Sequence, residues 1–106
     1  MAKNKTETPK ASATGRINTE QVEAITATLN EITGSPATAY SEQDGAQVPN
    51  AGHFRAASRK GGVVMERIGE GGVITTPFGS SPVPRASLYA RVQAFMDGIT
   101  FARENA

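Results

Sequence analysis

The sequence predicts an α+β fold, a two-layer αβββα unit in which an antiparallel sheet is packed by two helices. Two helical patterns flank a central run, and that run is cut by glycines into three short strands. Each helix carries an apolar stripe that needs a surface to cover, and one sheet face supplies it. A short strand at 37–40 would extend the order to α-ββββ-α.

The first helix is bounded on both sides. Asn18 is placed to cap it, with Gln21 three residues on in the reciprocal position. Ile17 and Val22 occupy the two positions of a hydrophobic staple. Val22, Ile25, Leu29 and Ile32 step along one face, and Gly34-Ser35-Pro36 stops the helix, giving 19–33. Residues 41–52 read as a long, turn-rich loop.

Strands are expected at 53–58, 63–68 and 73–78, joined by Arg59-Lys60-Gly61-Gly62 and Gly69-Glu70-Gly71-Gly72. Four-residue connections would set Ser58 against Val63, Arg55 against Glu66 and Ile68 against Val73. One face then holds Phe54, Ala56, Val63, Met65, Ile74 and Phe78 and is the expected core. The other holds His53, Arg55, Ala57, Val64, Glu66, Ile68, Val73 and Thr75. A slip of one residue in either turn would exchange the faces of a strand. The second helix starts near Pro84, with Leu88, Val92, Phe95 and Ile99 as its stripe and Tyr89 and Met96 widening it. Asp97-Gly98 weakens its far end.

The composition narrows the function. The 106 residues contain no cysteine, so there is no thiolate nucleophile, disulfide or cysteine metal site, as a reducing compartment would allow. One histidine and no calcium-loop spacing leave no metal-ligand set, and no cofactor is expected. No apolar run approaches the roughly 20 residues that span a bilayer. With no apolar leader at the N-terminus, a cytoplasmic protein with no membrane association is the expectation. The net charge of +1 is unevenly spread. Lys3, Lys5, Lys10 and Arg16 against Glu7 leave residues 1–16 at +3, whereas seven Lys or Arg against nine Asp or Glu leave the remainder at −2. Residues 1–16 have no large apolar side chain after Met1 and read as a disordered basic tail on one domain, 17–106.

No motif marks a reaction. GSSPVP at 79–84 is not a nucleophile elbow, and the glycines at 69–72 join strand to strand with no helix to receive a phosphate. A non-enzymatic protein is expected. Two surfaces remain as candidates. Val64, Ile68 and Val73, with Glu66 beside them, form an apolar strip on the second sheet face. If nothing covers that strip it is a protein contact, for a separate partner or for a homodimer; with one helix on each face it is core. Arg55, Arg59, Lys60 and Arg67 form a basic cluster suited to nucleic-acid phosphates, or else a solvated hairpin tip with Arg55 paired to Glu66.

LNEITG at 29–34, GHFRAASRKGGVVMERI at 52–68, GEGG at 69–72 and LYARVQAFMDGI at 88–99 resemble a loose set of small proteins encoded by phages and other mobile elements. That resemblance implies an accessory protein, without catalysis, that binds a protein of the host cytoplasm. The element order, with Leu29-Asn30-Glu31, Tyr40 and Gly52-His53, also resembles the double-stranded-RNA-binding domain. That family grips phosphates with lysines at the start of its second helix. Here the stretch is SSPVPRASLYAR, with Arg85 and Arg91 alone.

Overall fold

A computed structural model describes residues 16–106; the basic tail expected over 1–16 lies outside them, Arg16 excepted. The fold is α+β, with two helices and two small antiparallel sheets. Helix α1 (Thr19–Thr33) opens on the expected capping box. The Asn18 Oδ1 accepts from the Gln21 N–H at 2.8 Å, and the Gln21 Oε1 accepts from the Asn18 N–H at 2.9 Å. Gly34 closes it in the left-handed conformation at φ 71°, where its N–H and that of Ser35 satisfy the Glu31 and Asn30 carbonyls.

The stretch expected as a loop holds a second sheet. Strands β1 (Tyr40–Gln43) and β2 (Ala46–Pro49) pair around Asp44-Gly45, both at positive φ. That is the mirror-image two-residue turn whose twist suits a hairpin. The strand expected at 37–40 therefore begins only at its last residue. Asn50 closes the hairpin base. Its N–H donates to the Ala39 carbonyl and its side-chain amide to the Thr38 carbonyl.

The main sheet is β3 (Phe54–Arg59), β4 (Gly62–Ile68) and β5 (Ile74–Thr75), in that order. Ser58 faces Val63 and Arg55 faces Glu66, as expected. The first turn is tighter than expected, since Arg59 pairs with Gly62 around Lys60-Gly61. The second is longer. Glu70–Gly72 makes a 3-10 turn and the Gly69 N–H donates to the Val73 carbonyl, so Ile68 faces Ile74 and not Val73. That one-residue shift moves Ile74 off the core face and places Thr75 opposite Arg67. Strand β5 stops after two residues, just ahead of Pro77, which has no N–H to donate. Val83 then takes over the same edge of β4, exchanging two backbone hydrogen bonds with Val63. Gly62 permits this approach, because any Cβ there would overlap the Val83 carbonyl.

Both helices lie on one face of this sheet. Val22, Ile25 and Leu29 of α1 join Phe54, Val63 and Met65 of the sheet, and Leu88, Val92 and Met96 of α2 (Arg85–Glu104) complete the core. Helix α2 runs through Asp97-Gly98, and Arg103 near its end donates to the Ile32 carbonyl. Met96 is buried on α2; Phe95 stays exposed, edge-on to Phe78 at 5.2 Å between ring centroids.

One buried polar side chain ties these layers together. Asn30 is 4% exposed on α1, and its amide pairs with both backbone groups of Phe54. Nδ2 donates to the carbonyl at 3.0 Å, and Oδ1 accepts from the N–H at 2.8 Å. The side chain thus stands where a neighbouring strand would and satisfies the free edge of β3 at Phe54. Asn30→Ala leaves two buried backbone groups unpaired and is expected to cost about 1–3 kcal/mol. In urea unfolding the midpoint should fall with an unchanged slope; an unmoved midpoint would show that the clamp carries no stability.

Candidate interaction surfaces

The second sheet face is closed within the chain. Val64, Glu66 and Ile68 are 3%, 7% and 1% exposed, although no helix covers them. This corrects the expectation that they form an open contact strip. Of the four residues proposed for it, only Val73 is at the surface, 64% exposed, and the shifted turn has removed it from the strip.

The cover is partly ionic. Glu66 Oε1 accepts from Arg55 Nε at 3.0 Å, and Oε2 accepts from Arg59 Nη2. Arg59 sits opposite Gly62, so to reach Glu66 its side chain must cross the face above Val64, which lies midway between them. The Arg59 side chain as a whole stays about half exposed along that path. The hydrogen bond that Arg55 donates to Glu66 raises the Arg55 pKa above its usual value, with the Tyr40 hydroxyl as the second cause. Tyr40 brings the β1–β2 hairpin to this face. Pro49, its cross-strand partner, lies against Gly72, where an added Cβ would come within 3.2 Å of the proline ring.

The expected basic cluster does not assemble. Arg55 and Arg59 turn inward to Glu66 on one face. Arg67 is on the other, its guanidinium 4.9 Å from the Phe54 ring centroid and its Nε donating to the Gly52 carbonyl. Lys60 is left at the turn tip. Arg85 and Arg91, at the start of α2, donate to the carbonyls of Ile17 and Phe78.

Open grooves among the described residues accompany these surfaces. One, of about 430 Å³, runs between α1 and α2 beside Ile25, Thr28, Tyr89 and Met96. Another, of about 240 Å³, passes Glu23, Thr26, Asn30 and His53. Most of its polar atoms are committed to the backbone. The Thr26 hydroxyl donates to the Val22 carbonyl, Asn30 holds Phe54, and His53 Nδ1 lies 2.9 Å from the Pro36 carbonyl. A carbonyl only accepts, so Nδ1 carries the proton. Among the described residues no three His, Asp or Glu side chains gather as a metal site would require, and no helix is long and apolar enough to cross a membrane. No protein-family model, curated protein or solved structure matches the chain.

Among the described residues, the exposed large apolar side chains are Phe95 and Phe101 on α2 and three others at one end of the sheet. Tyr40 is 46%, Val73 64% and Ile74 41% exposed. Tyr40 pairs with Pro49, and Pro49 lies against Gly72, the residue before Val73, so the three flank the junction of the hairpin and the β4–β5 turn. Sequence reasoning missed Tyr40 and Ile74 here. The signal for the first was Asp44-Gly45, a strong hairpin dipeptide obscured by polar flanks.

Glu66 is the residue on which the closed face turns. Glu66→Ala is expected to cost about 1–3 kcal/mol. That is below a fully buried ion pair, because both arginines remain partly in water. Glu66→Gln, which keeps an acceptor, should lose less. Equal stability of wild type and Glu66→Ala in chemical denaturation would contradict this role.

Proposed function

We propose that this chain is a small, non-enzymatic accessory protein that works by binding another protein through the Tyr40–Val73–Ile74 surface. The observation that carries the reading is the exposure of three large apolar side chains around the junction of the hairpin and the β4–β5 turn. Burying such a side chain is worth roughly 1.5–3 kcal/mol. Tyrosine, with one apolar face and one polar tip, is among the residues that dominate interface energetics. The resemblance to phage and mobile-element accessory proteins agrees with a binding role, and a host protein in the cytoplasm is the partner it suggests. Nucleic-acid binding draws less support, since Arg55 and Arg59 are spent on Glu66 and Arg67 faces away from them.

Affinity capture from host lysate with the full chain tests this. Wild type and Phe101→Glu, altered at an exposed site on α2, should retain the same partner, and the double variant Val73→Glu/Ile74→Glu should lose it. A partner held equally by the double variant would rule out this surface.

A further inference from the structure

We propose that the segment docking on the Tyr40–Val73–Ile74 surface is cationic, with large apolar side chains flanked by lysine or arginine. This rests on the protein-binding reading above and adds the chemistry of the partner. The rim of the surface carries carboxylates. Glu42 lies two residues from Tyr40 on the same side of β1, Asp44 is at the hairpin tip, and Glu70 is in the turn that presents Val73. All three are exposed, and among the described residues the ion pairs go to Glu66 instead.

The cations of the main sheet are elsewhere. Arg59 and Lys60 sit at the β3–β4 turn, at the far end of the seven-residue β4 and so about 20 Å from Glu70. Arg67, beside Ile68, lies on the opposite face over the Phe54 ring, and Arg55 has its charge countered by Glu66. On the face that Ile74 shares with Ile68, the sheet therefore has an acidic end and a basic end, and the exposed apolar side chains belong to the acidic end. A field of that sign steers cationic segments in and repels acidic ones, nucleic acid included. Apolar contact supplies the affinity and the rim selects the partner.

Selection of displayed random peptides on the immobilised full chain provides the test. Enriched sequences are expected to combine aromatic or aliphatic residues with Lys or Arg, and to bind more weakly as salt is added. Their affinity should be lost in Val73→Glu/Ile74→Glu and should fall roughly tenfold in Glu42→Lys/Asp44→Lys/Glu70→Lys, about 1.4 kcal/mol. All five positions are exposed, and circular dichroism should show both variants folded. Peptides that need Val73 and Ile74 but ignore salt and the charge reversal would overturn the cationic partner and leave protein binding by this surface standing. A selection with no binder dependent on Val73 and Ile74 would overturn both.

Discussion

Glu66 reaches two arginines across a sheet face that no helix covers, and the arrangement of the remaining surface follows from that contact. The two helices pack on the same side of β3–β4, which leaves Val64 and Ile68 facing away from the main core. Two exposed aliphatic side chains on a flat sheet would be a liability. The carboxylate draws Arg59 along the face past Val64 and holds Arg55, so that a polar layer lies over it. Asn30 performs the complementary task at the β3 edge, substituting a side-chain amide for a missing strand.

Closing that face relocates the exposed apolar surface. The five-residue connection after Ile68 shifts β5 by one position and leaves Val73 outside the ladder, next to the hairpin's Pro49. Tyr40, Val73 and Ile74 then form a rim surface whose neighbouring charges are carboxylates. The arginines of the body, by contrast, mostly hold the chain together: Arg67, Arg85, Arg91 and Arg103 each donate to a backbone carbonyl from another part of the chain. This explains how a chain with a locally basic hairpin presents little free positive charge there.

Much of the fold was legible because its signals are local. The Asn18–Gln21 capping box, the Gly34 stop and the stripe from Val22 to Ile32 specify α1, and Arg55 opposite Glu66 follows once the first turn is placed. The hairpin at 40–49 was missed because Ser41, Glu42, Gln43 and Gln47 give no apolar alternation to accompany Asp44-Gly45. The β5 register was missed because Gly69-Glu70-Gly71-Gly72 permits several turns, and only the Gly69-to-Val73 hydrogen bond distinguishes the one adopted. Asn30 lies on the buried side of α1, where its amide acquires a purpose only when Phe54 arrives from 24 residues away. The contact surface was misplaced for the same reason, since it depends on that register.

The absence of cysteine makes the decisive measurement a clean one. Single variants Ile68→Cys and Val73→Cys can be reacted with a thiol reagent under native conditions. Val73→Cys should label at the rate of a free thiol, and Ile68→Cys only as fast as the face opens, orders of magnitude more slowly. Comparable fast labelling at both positions would mean that the second sheet face is open, and that Tyr40, Val73 and Ile74 are not the surface that the fold leaves for a partner.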